Sequence, residues 1–406
     1  MRNRYMAAGV LVIGLTPGAL AYGEEEPTIT ERGLPTTQLA AGATETSTTD
    51  AGLTVKWRGS VWASGTTQQR RMTDNSLLLR ATDAGEDALS LDGVTLGMDV
   101  DLAKGWSIKT TIIGGQAARI LNQTNGEAGA VAISEAQVSW SGDKDKLSFG
   151  RMSTYLGMEF LDGSQDITAS RGILFTYIDP YGQIGGNWHH EWSKDWSTDV
   201  WVFNGEDRIV DNNRAKTVGL GVAFAPGGAT DKYISLQAYR GAEQDSRGTF
   251  ALAGAEDRQR LRLAVMGQWA WGDLTVQGEG HLGQEDFAAG VLGSATPAQT
   301  AHWAAAGAIA RYGIGEWFGV FARGEGIYDE SGVRLVLDSN IANLWGLRAQ
   351  ARLHAMSYAV GGDLRVGKGF VRLEGREDLI DHAIADAAGR SIRNGASATV
   401  CVGASF

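Results

Sequence analysis

Charged side chains recur at every second position in several segments of this chain. The clearest examples are Arg260, Arg262, Glu279, Arg323, Glu325, Arg372, Glu374 and Arg376. Successive side chains of a β-strand point to opposite faces, so this spacing places the charges of each segment on one face. Charges of both signs on the wall of a water-filled channel create a transverse field, which favours small hydrated solutes and biases ion selectivity. The pattern predicts a pore lining.

Other chemistry is poorly supported by residue type and spacing. The six histidines are scattered along the chain, and none stands near a serine in a way that indicates a nucleophile with its base. His281 lies two residues from Glu279, and we interpret both as lumen lining. Neighbouring residues of the run His189-His190-Glu191 point to opposite faces of a strand, and the oxygen ligands at 207–213 lack EF-hand spacing. We therefore predict no catalytic residue, metal or cofactor.

In the segments that carry these charges, apolar and polar residues alternate with a period of two. Leu53, Val55, Trp57, Gly59 and Val61 alternate with polar residues, and the pattern returns along the chain. A full apolar face opposite a charged one is typical of a barrel with lipid outside and water inside. The predicted fold is all-β: a transmembrane antiparallel β-barrel over residues 51–406.

Two sorts of connection separate the predicted strands. Short turns are predicted at 104–105, 142–144, 193–195, 226–231, 272–273, 313–315 and 367–369, and long loops around 66–90, 118–130, 152–182, 205–214, 242–257, 284–300, 329–354 and 379–394. Short periplasmic turns alternate with long outer loops in outer-membrane barrels, and the strand number is even. This gives about 16 strands, with a range of 14–18. An extra strand at 172–178 is rejected on parity, and another at 333–338 stays open.

Aromatic residues flank the short turns, where amphipathic rings can lie at a membrane interface. They are Trp106, Trp140, Trp192, Trp196, Trp271, Trp317 and Phe370. Strand parity also points Trp62, Trp317 and Phe321 inward, where aromatic faces can stack on sugars. A carbohydrate-selective channel is therefore an alternative function.

The two ends of the chain indicate its destination. Residues 1–21 have two arginines, an apolar run and Ala-Leu-Ala, as in a secretory signal peptide. Residues 22–50 are predicted to be a flexible periplasmic segment. The last strand alternates up to the aromatic Phe406, which resembles the sorting signal read by the barrel-assembly machinery. We expect the outer membrane of a Gram-negative bacterium, with membrane lipid and lipopolysaccharide as neighbours. The net charge of −11 argues against nucleic acid as a partner.

The connection at 151–182 is predicted to fold into the barrel. It carries apolar side chains that would be costly on a free outer loop, because burying each is worth roughly 1.5–3 kcal/mol. It also carries charges that we expect at a constriction, opposite the arginine rows: Arg151, Glu159, Asp162, Asp166 and Arg171. A loop lying on the outer rim or against a neighbouring subunit is the alternative.

The block from Phe149 to Pro226 resembles the putative beta-barrel porin-2 family of Gram-negative outer membranes. The matching motifs are Phe149-Gly150-Arg151, Tyr155-Leu156-Gly157, Ser170-Arg171, Asn204-Gly205, Asp211-Asn212-Asn213 and Lys216-Thr217. The resemblance implies a channel without catalytic chemistry, so we predict a porin for passive diffusion of small hydrophilic solutes and ions rather than an enzyme. A structural or adhesive barrel with a closed pore is a further alternative. A homo-oligomer is plausible by analogy with general porins.

Overall fold

The computed structural model describes residues 45–48, 53–70, 72, 77–80, 82–83, 87–124, 129–211, 213–244, 257–287, 298–337 and 352–406. The predicted signal peptide at 1–21 lies outside these residues. Of the predicted flexible segment 22–50, the structure describes only β1 (Glu45–Thr48), which pairs antiparallel with residues 54–57. Those four residues thus form a regular element within a segment that was predicted to be flexible.

Sixteen further strands follow in the described part of the chain. They are β2 (Thr54–Gln68), β3 (Ala88–Asp101), β4 (Trp106–Gly114), β5 (Val131–Ser141), β6 (Asp145–Ser153), β7 (Gly182–Glu191), β8 (Trp196–Phe203), β9 (Thr217–Phe224), β10 (Lys232–Ala242), β11 (Gln259–Trp271), β12 (Leu274–Phe287), β13 (Gln299–Ile314), β14 (Phe318–Asp329), β15 (Leu353–Val366), β16 (Gly369–Ala385) and β17 (Ser391–Ser405). Each pairs antiparallel with its neighbours in sequence, and β17 pairs with β2. The predicted antiparallel barrel of about 16 strands is confirmed.

The pairing of β17 with β2, which we call the closing seam, joins the two ends of the barrel. Its register runs from Ser397 opposite Gln68 to Ser405 opposite Ser60. Phe406 then donates its backbone N–H to the Gly59 carbonyl at 2.8 Å and accepts from the Gly59 N–H at 3.0 Å. The last residue of the chain is therefore hydrogen-bonded, and no free strand edge remains beside it.

The two faces of the strands differ as the period of two predicts. Leu96, Leu236, Val360 and Val402 are exposed on the outer face, while charged side chains are buried on the inner face. Such an apolar outer surface suits contact with lipid. Among the described residues, no helix is both long and apolar enough to cross a membrane.

Most predicted turn aromatics are exposed beside the short turns. Trp106, Trp192, Trp196, Trp271 and Trp317 have exposed fractions between 48% and 65%. The inward orientation predicted for Trp317 is therefore wrong, because the residue lies in the turn between β13 and β14, where strand parity no longer applies. Phe370 also differs, since it is 9% exposed and its ring lies 4.0 Å from the guanidinium of Arg372.

The long connections contain helices that a period of two cannot reveal. α1 (Gln116–Thr124) follows β4, and α2 (Ile173–Tyr177) lies where an extra strand was rejected. The possible strand at 333–338 is instead a π-helix at Val333–Leu337, and its N–H groups bond the Asp329 carboxylate. The predicted long loop at 379–394 is also wrong, because β16 and β17 stay paired as far as Ala385 opposite Ser391 and leave only residues 386–390 between them.

We expect the closing seam to be sensitive to one added methyl group at Gly403 of β17. A Cβ there would lie 2.6 Å from the backbone carbonyl oxygen of Val61 and 2.5 Å from the Phe370 ring. Overpacking of this kind typically costs about 1–3 kcal/mol. Gly403→Ala should lower the temperature at which the heat-modifiable band converts on a gel.

Gly375→Ala in the adjacent strand β16 is the matched control, because a Cβ at Gly375 meets no atom within 4 Å. This variant should convert within a few degrees of the unmodified chain. Equal conversion temperatures for the two variants would show that close packing at Gly403 does not limit the stability of the seam.

Candidate functional site

Residues 154–181, which we call the inner loop, connect β6 to β7 and are largely buried. The loop holds its shape through its own polar groups. Asp162 accepts hydrogen bonds from the Ser164 N–H at 3.1 Å and hydroxyl at 2.7 Å, while Asp166 accepts from the Phe160 N–H at 2.8 Å. Arg171 forms an ion pair with Asp166 and donates to the Leu161 carbonyl at 2.9 Å. These contacts make a compact polar turn from a segment without strand pairing.

Charges of β14 bind the inner loop. Arg323 donates to the Glu159 carboxylate and the Ser170 carbonyl, both at 2.7 Å. Glu325 accepts from the first N–H groups of α2, at 3.0 Å from Ile173 and 3.2 Å from Leu174. Free N–H groups at the start of a helix favour a carboxylate at this position. The alternating charges of β14 therefore contact protein rather than open water.

Strand β16 contributes a second row of contacts with the same loop. Arg372 donates to the carbonyls of Gly163 at 2.7 Å and Ser164 at 2.8 Å. Glu374 accepts from the N–H groups of Ala169 and Ser170, at 3.0 Å and 3.3 Å. Arg376 donates to the Ser170 hydroxyl and the Arg171 carbonyl. The row Arg372, Glu374 and Arg376 thus acts on successive backbone groups of one segment.

The end of the inner loop is held by two further arginines. Arg262 of β11 donates to the Ile178 carbonyl at 2.6 Å, and Arg334 of the π-helix donates to the Tyr177 carbonyl at 3.0 Å. Arg262 also pairs with Glu206 at 2.9 Å, and Arg260 pairs with the same carboxylate at 2.8 Å. Buried charges are costly unless they are paired, and here Arg260 and Arg262 share the Glu206 carboxylate.

Apolar contacts support the same arrangement. Ile173, Leu174 and Ile178 are fully buried in a cluster with residues of β13, β14 and β15, including Trp303 and Ile327. Two other clusters join the loop to the wall, one through Leu156 and one through Met158 and Ile167. Burial of such side chains is worth roughly 1.5–3 kcal/mol each. The loop therefore has apolar contacts along β8–β15, in addition to its charged partners on β11, β14 and β16.

An internal cavity of about 140 Å³ remains on the other side of the inner loop. Its wall comes mainly from β2, β4, β5 and β10, and its lining side chains include Arg58, Lys109, Glu135, Tyr155, Asp162, Tyr181, Tyr233 and Gln237. The predicted arginine rows lie on other strands, namely β11, β14 and β16. The inner loop thus divides the lumen into a filled half and a half with space.

Partly exposed charges form a network on the cavity wall. Arg58 lies 3.2 Å from both Asp99 and Glu135, and Lys109 lies 3.2 Å from Glu135. The Arg58 side chain is 26% exposed and that of Lys109 is 35% exposed, whereas the Arg323 side chain is 0% exposed. These wall charges can therefore meet a hydrated solute, while those of β14 cannot without movement of the loop.

The structure separates the predicted site residues by role. The contacts above place Glu159, Asp166, Arg171, Arg260, Arg262, Arg323, Glu325, Arg372, Glu374 and Arg376 in ion pairs or hydrogen bonds that hold the inner loop or its neighbours, and Asp162 lines the cavity. Glu279 is buried beside the end of the loop. Arg151 pairs in register with Ile184 and shares its strand face with the exposed Leu147 and Phe149. The prediction that it lines the lumen is wrong, because parity puts it on the outer face.

The residues that sequence reasoning missed are Arg58, Lys109, Tyr233 and Gln237. All lie on the inner faces of their strands, and Arg58 belongs to the polar face recognised in β2. Parity alone could have placed them in the lumen. It could not have shown that a cavity remains beside them, because that depends on the path of the inner loop.

Carboxylates at the outer ends of the strands have shifted pKa values. Burial raises the pKa of Asp207 to about 7, although its side chain accepts from the N–H groups of Tyr181 and Gly182. Burial and the neighbouring Glu206 raise the pKa of Glu243 to about 7. Asp207 thus bonds to the end of the inner loop and changes charge near neutral pH.

Comparisons with known proteins agree with this architecture. A family model described as "Putative beta-barrel porin-2, OmpL-like" matches residues 54–406. Comparison with curated proteins found no match.

Solved structures share the fold at low sequence identity. The outer membrane channel DcaP of Acinetobacter baumannii has a TM-score of 0.57 at 11% identity, covering 90% of this chain and 100% of that chain. OmpT of Vibrio cholerae has a TM-score of 0.54 at 10% identity, with coverage of 89% and 100%. The anion-selective porin from Comamonas acidovorans has a TM-score of 0.54 at 12% identity, with coverage of 87% and 100%.

We expect Arg323 to be a principal anchor of the inner loop. Arg323→Gln leaves Glu159 buried without its ion pair, and removing one partner of a buried pair typically costs about 3–5 kcal/mol. The inner loop should become cleavable by an added protease in the inserted barrel. The control is Lys56→Gln, because Lys56 lies 3.8 Å from Asp101 in a partly exposed pair worth about 0–1 kcal/mol. Equal protection in the two variants would contradict the anchoring role.

Asp207 should make barrel stability depend on pH. Because its pKa is raised from 3.8 to about 7 in the folded chain, the protonated form favours folding, and this contribution is lost as pH rises between those values. In Asp207→Asn that loss should disappear. The conversion temperature of the unmodified chain, relative to the variant, should fall from pH 5 to pH 7 and then level off. A difference that does not change with pH would contradict the prediction.

Proposed function

We propose a path for the solutes of this channel. The chain belongs to the OmpL-like putative beta-barrel porin-2 family and is a channel for passive diffusion across the Gram-negative outer membrane. Small hydrophilic solutes and ions pass between the inner loop and the wall formed by β2, β4, β5 and β10. The observation that carries this proposal is the cavity beside Arg58, Lys109 and Glu135, which contrasts with the filled half of the lumen. The inner loop is the constriction in this proposal.

The charges along this path support weak cation selectivity. Arg58 and Lys109 are offset by Asp99 and Glu135 in one network, and Asp162 adds a further carboxylate on the loop side. The net charge of −11 adds a weak attraction for cations at longer range, which salt screens beyond about 10 Å at 0.1 M. The pore should therefore prefer cations slightly at low salt and lose this preference at high salt.

A sugar-selective channel is the second candidate. Tyr155, Phe160, Phe175, Tyr181 and Tyr233 line the same cavity. Aromatic faces provide flat apolar surfaces for the C–H faces of a sugar, while the nearby charged and amide groups provide hydrogen bonds. Liposome swelling with a matched series of sugars and amino acids separates the candidates. Faster swelling with sugars than with amino acids of equal size supports the second candidate, and ordering by size alone supports general diffusion.

The filled half of the lumen consists of paired charges and backbone contacts, which supports a channel rather than an enzyme.

One solved form of the Vibrio cholerae OmpT is described as a trimer, and we propose a homo-oligomer here by the shared fold. The hydrogen-bonded Phe406 at the closing seam supports recognition by the barrel-assembly machinery, and the apolar outer face supports contact with lipid and lipopolysaccharide.

Deleting residues 157–170 should widen the pore. This segment carries Asp162 and fills part of the lumen, so its removal should raise single-channel conductance and the solute size limit. Planar-bilayer recording checks the first result and liposome swelling the second. Unchanged conductance in a correctly inserted deletion variant would remove the constriction role. Absence of conductance steps in the unmodified chain at high protein load would favour a barrel with a closed pore.

Point variants test the charge balance without changing the loop length. Lys109→Gln should increase cation preference, because it removes a positive charge from the wall, and Asp162→Asn should decrease it. Reversal potentials in a salt gradient measure both shifts. Strong anion preference in the unmodified chain, or shifts of the same sign in the two variants, would contradict the proposed path.

A further inference from the structure

A buried cluster of two carboxylates and an imidazole lies where the inner loop ends against β12. Asp179 of the inner loop and Glu279 and His281 of β12 each offer one ligand atom, and these atoms lie within 4.8 Å of one another. His281 Nε2 is 3.2 Å from Glu279 Oε2 and 3.4 Å from Asp179 Oδ1. The side chains of Asp179 and Glu279 are 2% exposed and that of His281 is 0% exposed. The three groups therefore converge away from bulk water.

Hydrogen bonds within the described part of the chain leave this cluster unsatisfied. Both carboxylate oxygens of Asp179 and the Nδ1 atom of His281 are buried without a hydrogen-bond partner there. The two distances from His281 Nε2 are longer than the usual 2.9–3.0 Å of an N–H···O bond, and a single N–H cannot point well at both oxygens. Leaving a buried polar group unpaired typically costs about 1–3 kcal/mol, and a charged one costs more.

The charges of the cluster also favour a bound cation. Asp179 and Glu279 bring two buried carboxylates into this cluster. The nearby Arg262 is already bonded to the Ile178 carbonyl and to Glu206. Two carboxylates this close cannot both ionise without a compensating cation. A bound cation would supply that charge and the missing ligand-atom partners together.

We propose that Asp179, Glu279 and His281 bind one divalent transition-metal ion of the zinc type. Zinc bonds to nitrogen and oxygen of about 2.0–2.2 Å place neighbouring ligands of a tetrahedron roughly 3.4 Å apart. The separations of 3.2 Å and 3.4 Å at His281 match that edge. An imidazole ligand suits zinc and its neighbours in the first transition row better than magnesium or calcium.

The location gives the ion a route and a role. Asp179 also lines the cavity, so an ion can enter from the lumen and a water molecule can occupy the fourth position. Since Asp179 belongs to the inner loop and the other two ligands belong to β12, the ion would join the loop to the wall. Metal binding would thus hold the end of the constriction in place.

The test uses the full chain, folded in detergent and stripped of metal by a chelator. Equilibrium dialysis against zinc, followed by elemental analysis, should give one ion per chain, and cobalt should give the visible absorption of a tetrahedral site. Asp179→Asn and His281→Gln should each weaken zinc binding at least tenfold. Gel heat-modifiability confirms that each variant is folded.

His189→Gln is the matched control. His189 is also a buried histidine of the inner face, with Nδ1 3.1 Å from Asp199, but it stands outside the cluster. This variant should keep full zinc binding. Zinc should also protect the inner loop from protease in the unmodified chain and in His189→Gln, without protecting it in His281→Gln. Binding of less than half an ion per chain, or equal binding in all folded variants, would overturn the proposal.

Discussion

The inner loop lies inside the barrel because the wall of β11–β16 provides charged partners for its backbone groups. A loop without strand pairing brings many N–H and C=O groups out of water, and each must find a partner. Arg323, Arg372 and Arg376 supply donors to its carbonyls, while Glu325 and Glu374 accept from its N–H groups. Alternation of sign along β14 and β16 thus serves both kinds of backbone group.

This anchoring makes the lumen asymmetric. On one side, buried ion pairs and the apolar cluster around Ile173 and Trp303 fill the space. On the other side, Arg58, Lys109 and Glu135 remain partly exposed around a cavity. Charges of similar type therefore have two environments in one barrel, either buried and paired against the inner loop or partly exposed beside a cavity. Under the proposed function, the first group holds the constriction and the second sets the field along the path.

The cluster at Asp179 fits this division, since it lies at the boundary between the two halves. Elsewhere in the described part of the filled half, the carboxylates discussed above have arginine or backbone donors. At Asp179 the donors are lacking, and the imidazole of His281 faces two acids. A metal ion there would complete the attachment of the inner loop by the same principle as the arginines, namely positive charge placed against groups that water cannot reach.

The sequence by itself determined the barrel. The period of two and the alternation of short turns with long connections are local patterns, so they predict the strands and their order without knowledge of distant contacts. Those patterns failed at α1, the π-helix at Val333–Leu337 and the short connection at 386–390, because a period of two does not show where a helix forms or how far two strands stay paired.

Only the tertiary structure decided which inward charges are buried against the inner loop and which stay partly exposed. Strand parity predicts the face of the strand on which Arg323 or Arg58 lies. It does not predict which segment occupies the lumen beside that side chain. That depends on the path of the inner loop, which is set by contacts between residues more than 150 positions apart, such as Glu159 with Arg323. For the same reason the sequence showed His281 beside Glu279 but indicated no metal site, because the second carboxylate, Asp179, comes from a distant segment that folding brings within 3.4 Å.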